Sequence, residues 1–142
     1  MTNLGMGVLL GRLFGNEDTI IALTRAKGKE IKAIDCISEG PVQDELILTF
    51  DDHQLVLFDD GQSCCEYRYM HTDDDLVAFV GAEFTGAEVR DGPMRNDGGD
   101  DHEIQFLLIN TSLGTFTVET HNVHNGYYGG FSVVARSREM VT

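Results

Sequence analysis

Thr19-Ile20-Ile21-Ala22-Leu23-Thr24-Arg25-Ala26-Lys27-Gly28-Lys29-Glu30-Ile31 is the stretch on which the fold turns, because it is echoed 53 residues later. There the chain reads Thr72-Asp73-Asp74-Asp75-Leu76-Val77-Ala78-Phe79-Val80-Gly81-Ala82-Glu83-Phe84. Thr, Leu, Gly, Glu and an apolar residue recur without a gap, and Ile34-Asp35 is answered by Ala87-Glu88. In both copies an apolar helical pattern stops at a glycine, which accepts the left-handed conformation of a helix C-terminus. The first copy is preceded by Asn16 and Asp18, either of which can cap a helix. In the second, Thr72 and Asp75 stand at capping-box distance and predict a helix over 73–80. Each pattern then changes to a strand.

Outward from these junctions the two halves stay parallel. Glu45-Leu46-x-Leu48-x-Phe50 is matched with Glu103-Ile104-x-Phe106-x-Leu108, and a hairpin follows each. Asp51-Asp52 turns the first hairpin and Asn110 to Gly114 the second. Asp91 to Asp101, rich in Gly and Asp, reads as a loop. The expected fold is α+β: a mostly antiparallel sheet built of two α-β-β-β-β pseudo-repeats with two short helices. One domain spans 1–142, with repeats at about 18–71 and 72–136 and an N-terminal extension at 1–15. The alternative is that helix–Gly–strand punctuation recurs by chance.

Charge narrows the function. The chain of 142 residues carries a net charge of −14, with 24 acidic and 10 basic residues. Residues 39–135 hold nineteen of the acids against Arg68, Arg90 and Arg95. Direct grip on nucleic-acid phosphates is not expected. The plain reading is a solvated acidic surface; a DNA-mimic face and an acidic proteome are the others. Nothing approaches the apolar run of about 18 residues that a membrane-spanning helix needs, and no secretory signal is read at the N-terminus. The expected location is the cytoplasm. The three cysteines, Cys36, Cys64 and Cys65, do not make a disulfide framework.

Two segments stand out as site candidates. Cys64-Cys65-Glu66 follows Asp59 and Asp60, whose charges oppose thiolate formation, so a nucleophilic cysteine is disfavoured. Asn125-Gly126-Tyr127-Tyr128 places two aromatic rings with polar tips in a turn, where they can stack a flat ligand and bond its edges. The bland counterpart is a hairpin turn whose tyrosines cover the core edge. The pseudo-repeat puts Cys64-Cys65 near Tyr127-Tyr128, so Cys64, Cys65, Glu66, Asn125, Tyr127 and Tyr128 are read as one ligand site. A metal site drawing on Cys64, Cys65, His71, His121 and His124 is the rival, since thiolate and imidazole suit zinc. It lacks a recognised ligand spacing. His121 and His124, on a strand, would point to opposite faces. Asn96 to Asp101 resembles a fragment of a calcium loop but lacks the EF-hand order.

The order of Cys64-Cys65-Glu66, the acidic helix 73–80 and Asn125-Gly126-Tyr127-Tyr128 resembles a family of small proteins found in tailed bacteriophages, prophages and some bacteria. The likeness covers about residues 20–136. The chain departs from that pattern with Gly129, where Ser is common, and with a longer N-terminal segment. The resemblance implies an accessory, mobile-element context and carries no activity. Together these readings favour a non-catalytic binding protein whose partner is a host protein or a small flat ligand, with no cofactor. A metal-dependent enzyme and a structural, oligomer-forming protein are the alternatives.

Overall fold

The computed structural model describes residues 8–9, 17–38, 44–60, 66–97, 99–125 and 130–140. Their order is β1 (Val8–Leu9), α1 (Glu17–Ala26), β2 (Ala33–Ile37), β3 (Glu45–Thr49), β4 (His53–Asp59) and β5 (Glu66–His71). A 3-10 turn (Leu76–Phe79) follows, then β6 (Phe84–Asp97), β7 (Asp100–Thr111), β8 (Gly114–His124) and β9 (Val133–Glu139). Among the described residues the strands form two antiparallel sheets, ordered β1-β6-β7-β8-β5 and β2-β3-β4-β9. The α+β class therefore holds.

The inner faces of the sheets share one core. Leu46, Leu48, Leu55 and Leu57 come from one sheet, and Leu107, Ile109, Phe116 and Val118 from the other. Period-two alternation puts each set on one face of its strands. Helix α1 lies against β9 and adds Ala22 and Ala26 to the same core. Its Thr19 hydroxyl accepts the Ala135 N–H at 3.0 Å, which fixes the helix's first turn on that strand. Asp18 lies inside that first turn rather than capping it; Asn16 lies outside the described residues.

The connections have a regular form. β2-β3-β4 run as a meander, and the strand after them, β5, leaves to join the other sheet. β6-β7-β8 also run as a meander, and β9 crosses in the opposite sense to join β4. Between residues 28–31 and 81–84 the backbone bonds recur in pairs. Gly28 N–H donates to Phe84 O (2.7 Å) and Gly81 N–H to Ile31 O (2.8 Å). Ile31 N–H donates to Ala82 O (2.8 Å) and Phe84 N–H to Lys29 O (3.0 Å). Exchanging residues 53 apart turns each bond of a pair into the other. Glu30 bridges Glu83, its own counterpart at that spacing. Gly28 and Gly81 both have positive φ, 86° and 98°, and Ile31 and Phe84 are both fully buried.

Three expectations change. Among the described residues there is one α-helix: the segment expected to be helical at 73–80 forms only a four-residue 3-10 turn, Leu76–Phe79, whose N-cap Asp75 makes no side-chain cap bond. Thr72 Oγ1 donates to Thr117 O (2.7 Å), and Asp74 accepts the Thr117 N–H (2.7 Å), tying this segment to β8. The loop expected at 91–101 is mostly strand. β6 and β7 pair out to Asp97 and Asp100, with a register shift between Asp91 and Met94. Asn96 to Asp101 thus lies at a hairpin end. Finally, the core residues of β7 are Leu107 and Ile109, set opposite Val118 and Phe116. Ile104, Phe106 and Leu108 lie on the outer face, so the expected alternation of Ile104, Phe106 and Leu108 does not mark the core side of β7.

Candidate functional site

Met70 of β5 and Thr120 of β8 are paired and buried on the inner face. Two and four residues earlier on β5, Arg68 and Glu66 share that face; two and four residues later on β8, Asn122 and His124 do. The core therefore becomes polar at this end of the sandwich. Arg68 Nη1 donates to Asp59 at 2.6 Å, and Nη2 donates to Glu66 at 2.8 Å. Only 8% of the Arg68 side chain is exposed, with 5% for Asp59 and 1% for Glu66. Burial pulls the guanidinium down, but the hydrogen bonds to Glu66 and Asp59 and their charges outweigh it and hold Arg68 above its usual range.

This ion pair set fastens four chain ends. Asp59 ends β4 and accepts the Ser132 N–H at 2.9 Å, just ahead of β9. Glu66 opens β5. Arg68 Nη1 also donates to Gly130 O (3.1 Å). Asn122 Nδ2 donates to both Glu66 (3.1 Å) and Gly130 O (3.0 Å). Glu103 accepts the Gly130 N–H (2.8 Å) and bonds His124 Nε2 (3.0 Å). Asn122 is fully buried, and its Oδ1 has no partner among the described residues. A cleft of about 230 Å³ opens beside Gly130, between Phe131, Glu103 and the Gly92-Pro93 bend of β6. Gly92 is required at that bend: a Cβ would come 2.9 Å from both Ile104 O and the Phe106 ring.

Of the residues expected to form the ligand site, Glu66 and Asn125 belong to the described chain. Cys64, Cys65, Tyr127 and Tyr128 lie outside the described residues. Glu66 has both carboxylate oxygens engaged, by Arg68 and Asn122. Asn125 follows directly on His124, the strand partner of Glu66. Of the expected metal ligands, Cys64 and Cys65 lie outside the described residues, and His71, His121 and His124 make separate contacts. His71 bonds Asp73 at 2.8 Å, His124 points inward to Glu103, and His121 lies on the opposite face of β8. The opposed faces of His121 and His124 follow the strand reading. Among the described residues no group of three or more His, Cys, Asp or Glu is arranged to hold a metal ion. Cys36 is half-buried, and burial followed by the Asp44 charge raises its thiol, which disfavours the thiolate.

Sequence reasoning missed Arg68, Asp59 and Asn122, which build the frame, and His102. Arg68 did carry a signal: it is the one cation between Lys32 and Arg90. Such a cation among acids is a candidate for burial with partners. His102 had none, since its contact with His121 depends on the register of β7 on β8.

The fold and this frame define a two-sheet α+β protein with a polar, ion-paired end. The chain belongs to the family described as a domain of unknown function, DUF7448, whose model matches residues 24–134. No curated protein matches the chain, and no solved structure does. No helix among the described residues is long and apolar enough to cross a membrane.

Proposed function

We propose that this protein is a non-catalytic binding protein whose ligand, a small flat molecule, is held at the ion-paired end of the sandwich. The observation that carries the reading is the reach of Arg68. One buried guanidinium bonds Asp59, Glu66 and Gly130 O, so residues flanking 61–65 and residues flanking 126–129 are fastened to a single group. Cys64-Cys65 belongs to the first of those segments and Tyr127-Tyr128 to the second.

Internal duplication supports the same pairing. Leu46 and Leu57 pair as Leu107 and Val118 do, a shift of 61. Asp59 of β4 pairs with Val133, while Thr120, its counterpart at that shift, pairs with Met70. Val133 thus corresponds to Met70, a shift of 133 − 70 = 63. Carried along the sequence, 63 sets Cys64-Cys65 against Tyr127-Tyr128. The repeated bonds around Gly28 and Gly81 argue for two halves that exchange their fourth strands. In this reading Tyr127 and Tyr128 stack the ligand, Asn125 bonds its edge, and Cys64 and Cys65 line the opposite side. Glu66 serves through Arg68 rather than by touching the ligand. The context of a phage or mobile-element accessory factor in a host cytoplasm rests on the sequence resemblance alone.

The test is a thermal-shift screen of the purified chain against mononucleotides and other flat heterocycles. A dose-dependent rise in melting temperature that Tyr127→Ala abolishes supports the reading; an equal rise in Tyr127→Ala removes the tyrosine from it. If no compound shifts the protein while a host protein is captured by the wild type and not by Tyr127→Ala, the ligand is a macromolecule. Stoichiometric zinc, iron or manganese in the purified protein would instead restore the metal-dependent enzyme.

A further inference from the structure

On the outer face of the five-stranded sheet, well away from the inner-face ion pairs, three strands bring a second polar group together. His102 of β7 and His121 of β8 are almost fully buried, yet both sit on this face, and their rings meet with His102 Nε2 at 2.7 Å from His121 Nδ1. The outer nitrogens are also engaged. Arg95 of β6 donates to His102 Nδ1 at 3.2 Å, and His121 Nε2 lies 2.8 Å from a Glu119 oxygen. An arginine can only donate and a carboxylate only accept. His102 must therefore carry its proton on Nε2 and donate it to His121 Nδ1, and His121 must carry its own on Nε2 for Glu119. The chain of bonds runs one way, from Arg95 through both rings to Glu119, with one proton between the rings.

A metal ion between those nitrogens would need a lone pair on each. The Arg95 contact puts a proton on one of them, so the arrangement suits a proton and not a cation. We infer that the His102–His121 contact is a proton-operated latch on the outer face: intact when both rings are neutral, broken when either takes a second proton. A proton on His121 Nδ1 would face the N–H of His102. A proton on His102 Nδ1 would face the Arg95 guanidinium. What the latch holds is visible beside it. Tyr69 of β5 stacks on His121 with centroids 4.4 Å apart and planes at 4°, and Tyr67 leans on Tyr69 at 5.0 Å. Tyr69 Oη also lies 3.5 Å from His102 Nε2. The latch thus ties the edge strand β5 to β8, β7 and β6 through side chains.

Among the described residues, the charged and titratable groups that face the pair include Glu119 on β8, His71 and Tyr69 on β5, and Arg95 on β6, which meets the pair at His102. Burial lowers the His121 pKa from 6.5; the Glu119 bond and charge oppose this, and His102 and His71 add to the lowering. A histidine with a depressed folded pKa binds protons more readily when unfolded. Its contribution is kept above pH 6.5 and lost as pH falls from there toward the folded value.

The test compares the wild type with His121→Gln and His102→Gln. Either amide can donate and accept in place of the ring, and neither titrates. Imidazole nitrogen NMR of the wild type at pH 7.5 should show both rings as Nε2–H tautomers. Between roughly pH 7 and 5, the range in which histidines switch, the wild type should lose tyrosine near-UV dichroism and melt at a lower temperature. His121→Gln should show a flatter response. Superimposable pH profiles would overturn the inference, as would an Nδ1–H tautomer of His121 at pH 7.5. So would one equivalent of zinc bound by the wild type and lost in His102→Gln. Should a variant fail to fold, the wild-type tautomer spectrum still decides.

Discussion

Replacing Arg68 by methionine removes the cation and keeps an apolar stem of similar reach. It leaves Asp59 and Glu66, 5% and 1% exposed, without the guanidinium that bonds both. Deleting one member of a buried ion pair costs about 3–5 kcal/mol, because the remaining charge stays desolvated. Gly130 O loses a bond as well, worth about 1 kcal/mol. Set against a total stability of about 5–15 kcal/mol for a single domain, that is a large fraction. The melting temperature should fall by roughly 10–20 °C at pH 7.5. The loss should also depend on pH. Buried carboxylates deprived of the Arg68 charge can discharge by taking protons, so the folded variant binds protons more tightly than its unfolded chain. Its deficit should be greatest at neutral pH and shrink as pH is lowered toward 5. Arg68→Lys keeps the charge but not the fork and should lose about 1.5–3 kcal/mol, the worth of one charged hydrogen bond. Urea and thermal unfolding followed by circular dichroism measure these quantities. Melting of Arg68→Met within about 2 °C of wild type at pH 7.5 would contradict the frame, for it would mean the three charges are solvated in solution.

Two further predictions address the contact between residues 28–31 and 81–84. Gly28→Ala and Gly81→Ala should each cost about 1–2 kcal/mol from the left-handed backbone alone, since a Cβ at either position meets nothing within 4 Å. The two losses should agree within about 0.5 kcal/mol in urea titrations, and a neutral result at one position alone would break the equivalence. Ile31→Ala should cost about 2–5 kcal/mol and Phe84→Ala about 3–5 kcal/mol, both side chains being fully enclosed. Losses under 1 kcal/mol in equilibrium unfolding would show that this contact is peripheral.

The legible part of the fold was the part decided locally. Gly28 and Gly81 announced positive φ, and Leu46, Leu48 and Phe50 recur at every second position before the Asp51-Asp52 turn, so the hairpin followed from period and turn residues, although Ile47, Val56 and Phe58 make the other face apolar and buried as well. At 73–80 the expected capping box of Thr72 and Asp75 does not close, since Asp75 makes no side-chain cap bond, while Thr72 and Asp74 are bonded to Thr117 of β8. A backbone offered tertiary partners has less need of its own helical ones. β7 was misread because it is apolar on both faces: parity counted from Glu103 selects Ile104 and Phe106, while the hairpin turn at Ser112 and Leu113 selects Leu107 and Ile109. Turn geometry fixes register where hydrophobicity does not. The long β6–β7 hairpin was hidden by Gly92 and Pro93, which read as loop punctuation and form instead the bend that admits the Phe106 ring.

The candidate site was legible only as two segments of unusual composition. What joins their flanks is invisible to any local reading, because Arg68, Asp59 and Glu66 are spaced like ordinary surface charges. Their burial follows from β5 joining the opposite sheet from β4, which turns Glu66 and Arg68 inward toward the end of that strand. Arg68 is held inside by two carboxylates, Arg95 is directed onto His102, and Arg25, Lys29 and Arg138 are paired with Glu139, Asp52 and Glu45 at the surface. With 24 acidic against 10 basic residues, an acidic excess remains. Any partner that meets this surface must therefore be recognised either through its own positive charge or through uncharged contacts at the ion-paired end. A small flat ligand satisfies the second condition without requiring the first.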